Sequence, residues 1–165
     1  MVAFGGESAA FLQGVALPGV ELSVAASVED AAARWADIEP LLRGIHEYHL
    51  PLTGVPLLDD WAERQRAHLV ARTDGIFLLA IEDGRAVGFV NGWVSRNPSM
   101  FAETYARLDN IFVVDTHRGG GVGMQLVAAF EQRCAAIGID EVRLGVVSGN
   151  ALGERFWDAA GFVPV

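Results

Sequence analysis

The stretch "DTHRGGGVGMQLV" at residues 115–127 decides how the chain is read. An arginine is followed by three glycines, a fourth glycine stands two places on, and the text then turns apolar at helical spacing. A helix entered through such a loop presents unpaired backbone N–H groups and the positive end of its dipole, a combination that binds anions. Gly119, Gly120, Gly121 and Gly123 let the main chain approach phosphate oxygens with no Cβ in the way. Two common nucleotide loops fail against these residues. A P-loop needs Gly-Lys-Ser/Thr at its end, where the chain has Gly123-Met124-Gln125. A Rossmann turn needs G-x-G-x-x-G, and the last place is Met124 or Leu126 according to which glycine begins the count.

Outward from the loop, the elements read as one mixed sheet with helices on its faces. "VELSVAAS" at residues 20–27 reads as a strand ending at a helix cap, with Ser27 and Asp30 in the [ST]-x-x-[DE] form. Apolar positions at Ala32, Trp35 and Ala36 start a helix that Pro40 must break or restart. Leu41, Leu42, Ile45 and Tyr48 continue a helical face, and "LPLTGVPL" at residues 50–57 reads as a loop. A helix capped by Asp59 or Asp60 runs to about Arg72. The period then changes to β: "GIFLLAI" and "RAVGFVNGWV" flank the hairpin signal Glu82-Asp83-Gly84, and "ARLDNIFVV" at residues 106–114 follows. After the glycine helix, Val142, Leu144 and Val146 alternate as a strand, and "NALGERFWDAAGF" supplies a last helix ending at Gly161. The predicted fold class is therefore α/β with a mixed sheet, in the order β-α-α-β-β-β-α-β-α. The step around the glycines is parallel.

Composition narrows the function classes. At 165 residues, 52% hydrophobic and 20% charged, the chain is one ordinary domain with a sizeable core. Its net charge of −9, with no Lys/Arg cluster, argues against nucleic acid as a partner. Cys134 is the only cysteine, which excludes a disulfide framework and CxxC metal sites and, with no secretory signal, points to the cytoplasm. The first nineteen residues are apolar but interrupted by Glu7 and Gln13, so they read as neither signal peptide nor membrane span. They are expected to be an N-terminal extension, an attached arm or an extra strand, before a single domain at residues 20–165.

Arg118-Gly119-Gly120-Gly121-Val122-Gly123 fits R/Q-x-x-G-x-G/A, and the chain from about Val20 onward resembles the GCN5-related N-acetyltransferases (GNAT). "NIFVVDTHRGGGVGMQL" looks like that family's strand-loop-helix motif, and Asn150-Ala151 with "FWDAAGF" looks like its later motif. The resemblance implies the GNAT fold and acetyl-CoA as co-substrate. The backbone of Arg118 to Met124, Val122 included, would hold the pyrophosphate. Strand ends around Val113, Val114 and Val147 would admit the pantetheine arm, and Asn150 would hydrogen-bond it. Acetyl transfer needs a neutral amine, and an alkyl ammonium of pKa near 10.4 is only about 0.1% neutral at pH 7.4. A general base is therefore expected. The family often carries an acid on the strand before the loop, which makes Asp109 the first candidate here and Glu103 the second, on one strand face unless a bulge reverses the assignment.

The chain departs from the family at Trp157, where many members carry a tyrosine that protonates the leaving sulfur. Solvent or Tyr105 is left for that task, and Trp157 reads most simply as an apolar anchor. His46, Glu47, Tyr48 and His49 stand before the proline loop that would border the acceptor, as helix-end packing or acceptor contacts. They lack the i, i+4 histidine pair of a zinc helix, so no metal is expected. His117 reads as a solvated turn residue; Cys134, Trp61 and Trp93 read as core. The chain ends soon after Gly161-Phe162, which leaves a short domain or a homodimer in which a partner covers the sheet edge. The expected activity is transfer of acetyl from acetyl-CoA to a primary amine of a small molecule or peptide. A polyamine-like or aminoglycoside-like amine, an amino acid and a protein N-terminus all stay open. The alternative is a non-catalytic acyl-CoA-binding module.

Overall fold

A computed structural model describes residues 2–7, 18–25, 32–72, 74–97 and 103–164. Its elements are β1 (Val2–Glu7), β2 (Val20–Ala25), α1 (Trp35–Thr53), α2 (Trp61–Ala71), β3 (Gly75–Glu82), β4 (Arg85–Asn97), β5 (Glu103–Val113), a 3-10 turn (Asp115–His117), α3 (Val122–Ala136), β6 (Glu141–Val146), α4 (Ala151–Ala159) and β7 (Val163–Pro164). The strands form one sheet in the order β2-β3-β4-β5-β6-β1-β7. Only β5 and β6 run parallel; every other neighbouring pair is antiparallel. The mixed sheet and its sequence of helices are those expected from the chain, with β1 and β7 added together at the edge beyond β6. The helix start expected at Ser27 and Asp30 lies outside the described residues.

Both faces of the sheet are covered, which explains why β3 reads as an unbroken apolar run. Phe77, Leu79 and Phe89 face Ile38, Leu41 and Leu42 of α1. Leu78, Ala80 and Val90 face the other way, toward Leu126 and Phe130 of α3 and Trp157 of α4. Phe89 is fully buried and stacks on Phe77 with centroids 5.5 Å apart. Burying each such side chain contributes about 1.5–3 kcal/mol, so these two layers carry most of the stabilisation. The β3–β4 hairpin turns on Asp83 (φ 49°) and Gly84 (φ 76°), with Glu82 opposite Arg85. Two successive residues of positive φ give the turn its match to the twist of the strands.

The proline readings need correction. Helix α1 starts after Arg34 and runs through both Pro40 and Pro51. A proline removes the bond to the carbonyl four residues back. Those carbonyls belong to Ala36 and Glu47, and both residues, like both prolines, are exposed, so the loss falls on the solvent side of the helix, where water can take the place of the missing partners. The helix ends instead at Gly54, whose φ of 65° turns its N–H back onto Leu50 O at 2.8 Å. Residues 50–53, read as loop, are its last turn.

Candidate active site

Two strand features open a cleft in the middle of the sheet. In β5, Asn110 faces Asn91 of β4 and Leu108 faces Gly92, so Asp109 is the extra residue of a β-bulge. The amide of Asn110 donates to Asn91 Oδ1 at 3.1 Å and straps the strands together beside it. On the other side, β5 pairs with β6 only at Ala106, Arg107 and Leu108. From Asp109 onward the two parallel strands share no ladder. The divergent ends run from Asp109 to Val114 on one side and from Gly145 to Asn150 on the other.

At the top of this opening stands the glycine loop. Gly119 (φ 76°) and Gly121 (φ 90°) hold left-handed conformations, and Gly121 is the residue from which α3 springs. The first bond of α3 outside its own ladder runs from Gln125 N–H to Gly121 O at 3.0 Å. The N–H groups of Val122, Gly123 and Met124 therefore precede the ladder at the dipole's positive end. Gly123 has a different reason to be glycine: a Cβ there would sit 3.0 Å from the ring of Phe156 on α4. Arg118 anchors the loop, donating from Nε to Val113 O at 2.9 Å and pairing with Asp115 at 2.8 Å. Its guanidinium lies over Phe112 and Tyr48, 5.2 and 5.3 Å from the ring centroids. Val113 and Val114 are half-buried at the end of β5.

Asn150 is buried at the opposite lip, where its Oδ1 accepts from Gly153 N–H at 2.9 Å and caps α4. The same oxygen accepts from Tyr48 Oη at 3.1 Å, and Nδ2 faces His49 Nε2 at 3.5 Å. The last turns of α1 thus bridge the cleft to α4. Burial, helped by neighbouring His46, holds the His49 imidazole below its ordinary 6.5, which favours the neutral ring. His46 Nε2 is buried without a hydrogen-bond partner among the described residues. Spacing alone could not assign this pair to the cleft, because it depends on where α1 crosses β5.

Asp109 is exposed and its carboxylate meets Arg107 Nε at 3.1 Å. It lines a cavity of about 140 Å³ between the sheet and α1 and α2, together with Trp35, His68, Arg72, Trp93 and Asn110. Glu103 pairs with Asn97 at the far end of the strand, away from the bulge. The structure thus separates the two acid candidates and brings only Asp109 to the cavity. Trp93 is half-buried and also a cavity wall rather than the core residue expected, because the space between it and α1 and α2 is left unfilled.

The remaining candidates fall into place by burial. Trp157 is buried edge-on against Phe156 and Phe162, at 4.9 and 5.2 Å, as an anchor of α4. His117 is more engaged than a solvated turn residue: Nε2 meets Glu82 at 2.6 Å and Nδ1 meets Thr116 at 2.9 Å. Cys134 is buried, and that burial, with Glu131 nearby, pushes its thiol up to about 12. Among the described residues no group of three His, Cys, Asp or Glu side chains is placed to hold a metal, and no helix is long and apolar enough to cross a membrane.

Comparison with known proteins agrees with this geometry. Among curated proteins, the isovaleryl-homoserine lactone synthase of Bradyrhizobium diazoefficiens is 30% identical over 109 residues, covering 54% of this chain. The match covers 47% of that synthase, so the chain spans about half its length. Among solved structures, an aminoglycoside acetyltransferase from an uncultured soil metagenome, in complex with sisomicin, superposes with a TM-score of 0.67 at 15% identity, over 86% of this chain and 87% of that one. Aminoglycoside N-acetyltransferase AAC(6')-Iy, in complex with CoA, gives 0.66 at 18% identity over 90% and 92%. These likenesses carry the fold. The model of the Acetyltransferase (GNAT) family matches residues 35–162, from the start of α1 through the cleft and glycine loop to Phe162, and the chain belongs to that family.

Proposed function

We propose that the protein transfers the acetyl group of acetyl-CoA to a primary amine by direct attack. The observation that carries this reading is the cleft: two parallel strands that part at Asp109 beneath a helix N-terminus with three unladdered N–H groups. The donor's pyrophosphate suits the backbone from Arg118 to Met124, and its arm suits the gap between the β5 and β6 ends, with Asn150 at the lip. On this reading Asp109 accepts the proton of the acceptor ammonium inside the cavity. The freed amine attacks the thioester carbonyl, the N–C bond forms, the nitrogen releases its second proton to solvent, the C–S bond breaks, and the electron pair stays on sulfur. The thiolate of a group with pKa near 8.5 is a tolerable leaving group and takes its proton from solvent. Trp157, an indole buried in the core, is no acid for that step.

Isothermal titration with acetyl-CoA, with ATP as comparator, tests the loop. Micromolar acetyl-CoA binding well above ATP is expected, and an absence of heat at millimolar ligand would remove the donor site. Amine-dependent release of free CoA then separates the enzyme from a CoA-binding module.

A further inference from the structure

The charges around the acceptor cavity distinguish one kind of amine from others. Its lining includes one carboxylate, Asp109, one guanidinium, Arg72, and the imidazole of His68, among otherwise uncharged side chains. Arg72 lies over the indole of Trp93, its Cζ 4.5 Å from the ring centroid. Its Nε–H is buried and finds no hydrogen-bond acceptor among the described residues. Asp74 forms an ion pair with it at 3.7 Å, too long for a hydrogen bond. A buried donor of this kind is costly to leave unmade, and a guanidinium is suited to a carboxylate. Asp109, by contrast, is oriented by Arg107 and supplies the one anion for an ammonium.

We infer that the acceptor is a small amine that also bears a carboxylate, an amino-acid-like zwitterion, with Asp109 facing its ammonium and Arg72 its carboxylate. This rests on the acetyltransferase reading above and goes beyond it by naming the substrate class. A polycation is the wrong ligand here, because its second ammonium would meet Arg72 and His68 rather than another carboxylate. On this inference the chain differs in acceptor from the aminoglycoside acetyltransferases that share its fold. The volume agrees: about 140 Å³ is small beside the roughly 300–1,000 Å³ of pockets for larger ligands. Trp35 and Trp93 supply apolar walls for the side chain of such an acceptor.

The test is a CoA-release assay on the full chain with acetyl-CoA and matched acceptors. The acceptors are leucine and 3-methylbutylamine, phenylalanine and phenethylamine, and spermidine as the polycation. The expected result is kcat/KM at least tenfold higher for one or both amino acids than for the amine lacking the carboxylate, with spermidine poorest. Arg72→Gln should raise KM for the amino acid tenfold or more and bring the paired ratio toward one, and Arg72→Lys should restore part of it. Equal or better turnover of the decarboxylated amines or of spermidine overturns this inference and leaves the acetyltransferase reading standing. No turnover of any amine by protein that binds acetyl-CoA overturns both. The comparison within wild-type protein decides the matter even where the Arg72 variants fail to fold.

Discussion

Asp109 owes its position to an irregularity one residue long. Without the bulge, strand alternation would alone decide which way its carboxylate points; with it, the carboxylate lies beside Arg107 and lines the cavity. Asp109→Asn keeps the shape and removes the base, so turnover should fall by roughly 10²- to 10⁴-fold and its pH profile should shift. Acetyl-CoA affinity, read by calorimetry, should be unaltered; an unchanged rate across pH would take Asp109 out of the mechanism. A second residue-scale expectation concerns His49. Its folded pKa lies below the ordinary 6.5, so the fold favours the neutral ring. Its contribution is complete above about pH 6.5 and is lost as pH falls through the lowered value, because the unfolded chain then binds the proton more readily. His49→Gln should therefore lose less stability than wild type between pH 6.5 and 5, measured by urea unfolding at each pH. Parallel curves would show that His49 does not titrate against folding.

At the scale of elements, helix α1 is set on the sheet by an unusually close approach. A Cβ at Gly44 would stand 2.7 Å from Cζ of Phe112, so glycine there lets the helix rest on the ring. Gly44→Ala should destabilise by about 1–3 kcal/mol, through overpacking. It should also loosen the Tyr48 and His49 contacts with Asn150, since both residues lie about one turn further along the same helix. Thermal unfolding and acetyl-CoA affinity measured together would separate the two effects. Helix α3 offers an independent check on burial. Cys134 is 1% exposed and its thiol is held near 12, so it should resist a thiol reagent at pH 8 in the native state and react once unfolded. Rapid native labelling would mean that α3 does not pack as described.

For the whole molecule, what could be read in advance and what could not divides by sequence distance. The glycine loop, the Asp83-Gly84 hairpin and the alternation of Val142, Leu144 and Val146 are local patterns, and each local pattern has a local physical cause. Pro40 misled because the rule on proline concerns a hydrogen bond, and whether water can replace it depends on which side of the helix faces solvent. The cavity needed Arg72 and Trp93 to meet Asp109 from separate elements, and no spacing encodes that meeting. Strand β1 is the extreme case: its residues read as apolar, but their partner is β6, with Val2 opposite Val146. It fills the sheet beside β6, and β7 then pairs with it through Phe4 and Gly5. Removing residues 2–7 should expose the β6 edge and promote association or aggregation, which light scattering would detect. A variant that stays monomeric with unchanged stability would show that β1 contributes nothing to the sheet.

That pairing also has a consequence in time. Strand β1 leaves the ribosome before the other strands of the sheet, but the strand it must lie against is about 140 residues behind it. At roughly 5–20 residues per second, some 7 to 30 s pass before β6 is made. Before β6 is made the β3–β4–β5 meander can form, since its contacts are local, whereas β1 has no template. The first strand of the sheet to be synthesised is thus among the last to be paired, and until β6 arrives its backbone edges have no partner.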